Sequence, residues 1–62
     1  MVKVIRLEKI GSGTDEDPFR PKCSGLVKFW DAKYEDSKVV IKVEDDALNV
    51  LDENGVSYEV LQ

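Results

Sequence analysis

The residues best suited to chemistry lie between positions 11 and 23, as a glycine-rich turn, a run of acids and a lone cysteine. Gly11-Ser12-Gly13-Thr14 is typical of a turn whose backbone N–H groups bind phosphate. A phosphate loop, however, ends in Gly-Lys-Ser/Thr, and a dinucleotide loop needs a third glycine that leads into a helix. Here the acids Asp15-Glu16-Asp17 and a proline follow, which add negative charge and stop a helix. The turn is expected to be a flexible connection.

The same acids offer clustered carboxylates, which are the ligands that Ca²⁺ and Mg²⁺ prefer. A run of acids is more often a solvated surface, and Asp17 stands three residues before Arg20, at a spacing that allows a local ion pair. We therefore expect solvated acids and an Asp17–Arg20 pair, with no bound metal.

Catalysis has few suitable residues in this sequence. The chain has no histidine and a single cysteine, Cys23, which excludes histidine general bases, histidine metal sites and an intramolecular disulfide. Cys23 has no histidine partner and no predicted helix start beside it, so it is expected to be a small packing residue. An enzyme also needs acid, base and nucleophile groups that converge in a pocket. We expect a non-enzymatic protein without a cofactor.

The most distinctive stretch is Asp17-Pro18-Phe19-Arg20-Pro21, in which two prolines hold the residues before them in extended conformations. In one interpretation, Phe19 packs onto a sheet and Arg20 reaches back to a carboxylate, so that the stretch anchors its own loop. In the other, Phe19 and Arg20, together with Asp17, bind a protein partner, because aromatic residues and arginine are enriched at such sites. The anchoring role is favoured, and the same three residues are the candidate partner-binding site.

The segment from Gly11 to Pro21, Gly-Ser-Gly-Thr-Asp-Glu-Asp-Pro-Phe-Arg-Pro, resembles a loop of small uncharacterised proteins, some of them from phages or archaea. The order of strand, helix and strand predicted after it is also similar. The resemblance implies no activity, cofactor or site residue.

A second candidate surface consists of Lys28, Trp30 and Tyr34. Alternation along a strand places these three on one face, where aromatic rings among basic residues would stack the bases of single-stranded nucleic acid. Leu26 and Ala32 share that face, and so small a domain has few large residues for its core, so Trp30 is expected to be a core residue. Nucleic-acid binding through this surface is the alternative function.

The charge of the chain is distributed unevenly. Nine basic and thirteen acidic residues give a net charge of −4. Residues 1–34 carry a net charge of +2, and residues 35–62 carry −6. Because phosphate binding depends on clustered lysine and arginine, this balance argues against nucleic acid as the main partner.

Length and composition limit the class of protein. Sixty-two residues allow one small domain, and a chain that is 42% hydrophobic and 35% charged is expected to fold. It lacks the unbroken apolar stretch of a signal peptide or membrane span, so a cytoplasmic protein with a free cysteine is expected. Few amides and many lysines and glutamates favour a heat-adapted source.

The pattern of β-branched and aromatic residues predicts the first three strands. Residues 1–7 are apolar on both sides, as expected of a strand inside a sheet. Residues 26–34 and 38–44 are predicted to form a β-hairpin around a turn at 35–37. Residues 8–25 contain three of the four glycines and both prolines, which predicts an irregular loop.

The stretch after the hairpin has the pattern of a short helix. Residues 47–53 have amphipathic spacing, and an aspartate at 45 or 46 would cap the helix start. Gly55 would end the helix in the left-handed conformation. Leu51 and Val56 would then make the hydrophobic contact typical of such a helix end.

A hairpin is the competing interpretation of this stretch. Asn54-Gly55 is a common two-residue hairpin turn, which would pair polar Asn49 with Val60 across two strands. The helix is favoured because it has no such conflict. After the helix, residues 56–61 are predicted to close the fold as a strand, with Val56, Tyr58 and Val60 facing the core.

The expected fold is therefore α+β, with a small, mostly antiparallel sheet of about four strands and one short helix on one face. The expected function is that of a protein-interaction or structural accessory module, which binds a protein partner through the long loop or an exposed sheet edge. A homodimer formed by pairing of exposed edges would suit so small a domain, and no membrane partner is expected.

Overall fold

The chain forms an antiparallel sheet of five strands and one short helix. In the computed structural model, which describes residues 1–62, the elements are β1 (Val2–Ile10), β2 (Arg20–Pro21), β3 (Trp30–Tyr34), β4 (Lys38–Glu44), α1 (Ala47–Glu53) and β5 (Tyr58–Val60). The strand order is β2-β1-β4-β3, and β5 also pairs with β1. The α+β class predicted from the sequence is confirmed, but the sheet has five strands instead of four.

β1 lies at the centre of the sheet, as its apolar side chains on both faces predict. On one side, its residues 2–8 pair with β4. On the other side, residues 5–7 pair with β5, and residues 9 and 10 pair with β2. Two short strands thus share one edge of β1, so that β1 connects the hairpin to the last strand of the chain.

One face of the sheet is covered and holds the core. Alternate residues of β1 and β4 point toward this face, in the register Ile5↔Ile41 and Leu7↔Val39. The buried hydrophobic core consists of Ile5, Leu7, Cys23, Val39, Ile41, Val43, Ala47, Leu51 and Val56. The predicted packing role of Cys23 is confirmed. The core contains no polar or charged side chain, and the opposite face of the sheet is left open.

α1 ends as the sequence predicts, and the hairpin alternative is excluded. Gly55 has a φ of 70°, in the left-handed region. Its N–H donates to the Asp52 carbonyl oxygen at 3.2 Å, and the N–H of Val56 donates to the Leu51 carbonyl oxygen at 2.9 Å. Leu51 and Val56 are both part of the core, which satisfies the expected hydrophobic contact.

The start of α1 differs from the prediction. Asp46 occupies the N-cap position, but its backbone is in the right-handed helical region and its side chain makes no capping hydrogen bond. The predicted side-chain cap is therefore wrong, and the burial of Ala47 and Leu51 holds the helix in place. With seven residues, α1 is too short to cross a membrane.

The region predicted to be one long loop is divided by β2. β1 continues to Ile10, past its predicted end, and pairs with β2 in the register Lys9↔Pro21 and Ile10↔Arg20. β2 is an edge strand that pairs only with β1. Proline is tolerated in such a strand, because the N–H group that Pro21 lacks would have no partner strand on the outer side. The irregular segment is thereby reduced to a loop of residues 11–19 and a second loop of residues 22–29.

Two further expectations about strands do not hold in full. The strand predicted at 26–34 begins only at Trp30, because the N–H of Leu26 donates to the Cys23 carbonyl oxygen at 3.0 Å and turns the chain. Val60 lies on the core side of the sheet, opposite Ile5, as predicted, but it is 50% exposed instead of buried, because β5 lies at the edge of the sheet.

Two side chains have a pKa above the ordinary value in the folded chain, which predicts that the fold loses stability under alkaline conditions. Burial raises the pKa of the Cys23 thiol. The hydrogen bond from the Tyr58 hydroxyl to the Asp52 carboxylate, at 2.9 Å, raises the pKa of Tyr58. Both groups lose their protons at lower pH in the unfolded chain than in the folded one. Their contribution to stability is complete below their ordinary pKa values and is lost as the pH rises through the raised values.

We expect the urea midpoint of unfolding to fall between about pH 8 and about pH 11, because the raised pKa values of Cys23 and Tyr58, and that of the N-terminal ammonium beside Asp45 and Glu44, favour the unfolded chain there. A Cys23→Ala, Tyr58→Phe double variant should show a smaller fall over the same range. Circular dichroism during urea titration at each pH measures both. An equal fall in the two proteins would contradict the assignment to these groups.

Candidate functional site

The loop of residues 11–19 is folded around Asp17. The N–H groups of Ser12, Gly13 and Thr14 all donate to the Asp17 carbonyl oxygen, at 3.0, 2.9 and 3.2 Å. The N–H of Asp17 donates back to the Thr14 carbonyl oxygen at 3.2 Å. The backbone amides that a phosphate would need are thus occupied from within the loop. The glycine-rich segment is a closed, hydrogen-bonded turn where the sequence predicts a flexible connection.

The Asp17 carboxylate holds the same loop through its side chain. One oxygen accepts hydrogen bonds from the N–H and the hydroxyl of Ser12, at 3.1 and 3.0 Å. The other oxygen accepts from the Arg20 guanidinium at 2.8 Å, which confirms the predicted Asp17–Arg20 pair. The bond from Arg20, and after it those from Ser12, hold the pKa of the Asp17 carboxyl below its usual value.

The folded loop places the Phe19 ring at the surface in a defined position. The Gly13 backbone packs so closely against the ring that a Cβ atom at Gly13 would overlap it. The Lys9 ammonium lies 4.1 Å from the ring centroid, within cation–π range. The Tyr34 ring centroid lies 6.5 Å away, and the Tyr34 hydroxyl donates to the Phe19 carbonyl oxygen at 3.1 Å. Phe19 is still 43% exposed, so it anchors the loop and remains available for contact.

We name this surface the Phe19 platform, defined as Lys9, Asp17, Phe19, Arg20 and Tyr34. Sequence reasoning assigned three of these residues to one site and missed Lys9 and Tyr34. Lys9 is two positions after Leu7 and therefore points to the same side of the sheet as Leu7. Had the predicted first strand been extended beyond residue 7, the sequence would have indicated that Lys9 lies on the core side. The position of Tyr34 depends on the register of the hairpin, for which the sequence contains no comparable signal.

The residues proposed to stack nucleic-acid bases do not share a face. Trp30 pairs with Lys42, and Tyr34 pairs with Val39. Lys42 and Val39 point to opposite sides of β4, so Trp30 and Tyr34 also lie on opposite sides of the sheet. A shift of register within β3 causes this, and Asp31 has a φ of 53° at that point. The predicted alternation through this strand is therefore wrong.

Trp30 is also not a core residue, contrary to expectation. It is 38% exposed, on the open face of the sheet. Lys28 lies in the loop before β3, beside a groove of about 290 Å³ whose lining includes Glu44 and Asp46. Because Trp30 and Tyr34 lie on opposite sides of the sheet, the structure does not bring Lys28, Trp30 and Tyr34 together on one face.

The polar groups of the platform are engaged in contacts within the chain. Its Asp17 carboxylate accepts hydrogen bonds on both oxygens, and Arg20 is paired with it. The one thiol, Cys23, lies in the core with a raised pKa, which keeps it protonated and unreactive at neutral pH. No group of three or more acidic or cysteine side chains is arranged to hold a metal ion. The platform presents an exposed aromatic pair beside the Asp17–Arg20 ion pair and beside Lys9, whose ammonium donates to the Glu35 carbonyl oxygen at 2.6 Å.

The platform depends on the backbone at Gly11, where φ is 104° and an added Cβ atom would overlap the Pro18 carbonyl oxygen. Gly55 also has a positive φ, but no atom lies within 4 Å of its Cβ position. We expect Gly11→Ala to lower the free energy of unfolding by about 2 kcal/mol more than Gly55→Ala, because only the first substitution adds overlap to backbone strain. Urea denaturation measures both variants. Equal losses of unfolding free energy in the two variants would contradict the close approach of the Gly11 backbone to the Pro18 carbonyl oxygen.

The Asp17 carboxyl should titrate at higher pH in an Arg20→Gln variant, because the largest cause of its lowered pKa is removed. Since a lowered pKa stabilises the fold only above the unfolded value, the variant should also lose less stability when the pH falls through the Asp17 titration. Carbon-13 NMR of the carboxyl measures the titration. Lys22→Gln is the control, since Lys22 pairs with Glu8 instead. An unchanged midpoint in Arg20→Gln would contradict the role of Arg20.

Known proteins do not add to this description. No protein-family model matches the sequence, and no curated protein or solved structure is significantly similar to it.

Proposed function

We propose that the chain is a non-enzymatic interaction module that binds a protein partner through the Phe19 platform. The observation that supports this is an aromatic ring that is exposed and yet held on several sides. Gly13 packs against the ring, Lys9 lies over it, and Tyr34 donates a hydrogen bond to its backbone. Aromatic residues in such positions are enriched among those that dominate protein–protein binding energies.

An ordered loop lowers the cost of association. Each flexible side chain fixed at an interface costs about 0.5–1.5 kcal/mol, and loops add to this cost. Here the loop is already closed by the hydrogen bonds of Asp17. A partner would therefore meet the Phe19 ring in its binding position, and more of the contact energy would appear as affinity.

The charges around the ring indicate the chemistry of the partner. Arg20 is paired with Asp17 at 2.8 Å, and Lys22 lies 3.8 Å from the Glu8 carboxylate. Because these two cations are already paired, and the Lys9 ammonium is held between the Phe19 ring and the Glu35 carbonyl oxygen, the platform does not favour a strongly acidic partner. A segment that places an apolar side chain, such as proline or leucine, against the Phe19 ring fits it best.

The exposed edges of the sheet are a less suitable contact site for a protein partner than the loop of residues 11–19. β3 is interrupted by its shift of register and carries charged residues at Asp31 and Lys33. The opposite edge consists of β5, with three residues, and β2, with two. Short, irregular and charged edges resist pairing with another chain. The loop is therefore the proposed contact.

Phe19→Ala should abolish capture of the partner, because it removes the exposed ring around which the platform is built. The test is affinity capture from a host-cell lysate, with and without nuclease, followed by calorimetric titration of the purified partner. Its affinity should fall at least about tenfold in Phe19→Ala. The matched control is Leu26→Ala, which removes an equally exposed apolar side chain, 42% against 43%, from the second loop.

Thermal melting of both variants checks that the fold survives. Tyr34→Phe adds a variant that keeps both rings and loses only the hydroxyl bond to the Phe19 carbonyl. Equal losses of affinity in Phe19→Ala and Leu26→Ala would contradict the proposal. So would partners that disappear on nuclease treatment, which would favour nucleic-acid binding instead.

A further inference from the structure

The face of the sheet turned away from the core carries an apolar patch. Val4 lies near its centre, with Val2 on the same side of β1. Trp30 points to this side as well, because it pairs with Lys42, which in turn pairs with Val4. Val40 lies two positions from Lys42 on β4 and therefore faces the same way. A groove of about 350 Å³ is lined by Val4, Val40 and the irregular part of β3.

Leu61 completes the patch. The N–H groups of Leu61 and Gln62 both donate to the Val4 carbonyl oxygen, at 2.7 and 3.2 Å, and the Val4 N–H donates to the Gln62 carbonyl oxygen at 2.9 Å. This is the pattern of a β-bulge, in which two residues stand opposite one. We name Val2, Val4, Trp30, Val40 and Leu61 the open-face patch. Three of these, Val2, Trp30 and Leu61, are 38–48% exposed.

The charges around the open-face patch are nearly balanced. Lys42 lies 3.1 Å from Asp31, and Arg6 pairs with Glu59. By strand register and ion pairing this face carries six basic residues, Arg6, Arg20, Lys22, Lys33, Lys38 and Lys42, and five acidic residues, Glu8, Asp31, Glu35, Glu44 and Glu59. The acidic excess of the chain, which has a net charge of −4, therefore belongs to the rest of the surface.

This distribution of charge favours a second copy of the chain as the partner that covers the open-face patch. Two copies of an acidic protein repel one another across most of their surface. The open face carries both signs in nearly equal number, and several of these charges are paired within the chain, so a symmetry-related copy meets it without the repulsion found elsewhere. A strongly acidic or strongly basic partner would find no large excess of opposite charge there.

The small size of the buried core also favours a dimer. The core of the chain contains nine residues, with no disulfide to support it. A standard interface buries about 800 Å² on each partner, which is about a fifth of the 4225 Å² surface of this chain. We propose that a second copy of the chain covers the open-face patch, so that two sheets pack face to face about 10 Å apart in a symmetric dimer.

The dimer does not depend on the function proposed for the Phe19 platform. Lys9 and Tyr34 lie on the core side of the sheet, together with the Phe19 ring that they contact, and the open-face patch lies on the other side. Of the platform residues in strands, only Arg20, which pairs with Ile10, lies on the side of the patch. Phe19→Ala should therefore leave the dimer unchanged, and a failure of either proposal can be recognised separately.

The test is sedimentation equilibrium of the untagged chain. The wild type should have twice the 7.0 kDa mass of one chain. Val2→Lys should raise the dimer dissociation constant at least about tenfold, because it buries a charge in the interface. Val60→Lys is the matched control, since Val60 is as exposed as Val2, 50% against 48%, but lies on the other side of the sheet. This control should leave the dissociation constant unchanged.

Trp30 provides an independent measurement, because it is the single tryptophan of the chain. Its fluorescence emission should shift to shorter wavelength as the protein concentration passes through the dissociation constant. A wild type that stays monomeric up to about millimolar concentration would overturn the proposal, since weaker contacts than this do not form specific dimers. So would equal weakening by Val2→Lys and Val60→Lys, or a dimer in which Trp30 emission does not change.

Discussion

Pairing along β1 is the interaction on which the rest of the structure depends. β4 gives β1 its register, and this register turns Ile5 and Leu7 toward the core. A shift by one position would exchange the two faces and expose the whole apolar set. The same alternation divides the outer surface of the protein, because Lys9 lies on the side of the Phe19 platform and Val4 on the side of the open-face patch. Two surfaces of different character thus result from neighbouring positions on one strand.

The features that the sequence predicts correctly are governed by short-range interactions. The end of α1 depends on a left-handed Gly55 and on hydrogen bonds between residues at most five positions apart. The Asp17–Arg20 pair spans three positions. Such features are visible in a sequence because few conformations satisfy them and because the rest of the fold has little influence on them.

The features that sequence analysis missed depend on contacts between distant parts of the chain. The side on which Trp30 lies is decided by one irregular residue, Asp31, whose positive φ no simple pattern indicates. Alternation counted across that residue assigns Trp30 and Tyr34 to one face, and the structure separates them. Lys9 was missed for a similar reason, since its role requires the pairing of β1 with β2.

The sharing of one β1 edge by β2 and β5 also constrains how the molecule folds. Ile5 pairs with Val60, so the sheet closes only when segments from opposite ends of the chain meet. The β3–β4 hairpin and α1 involve local contacts and can form early, whereas closure around β1 carries the entropy cost of a long loop. Folding is therefore completed only after the last strand has been synthesised. Until then β1, apolar on both faces, is the segment most exposed to incorrect pairing with other chains.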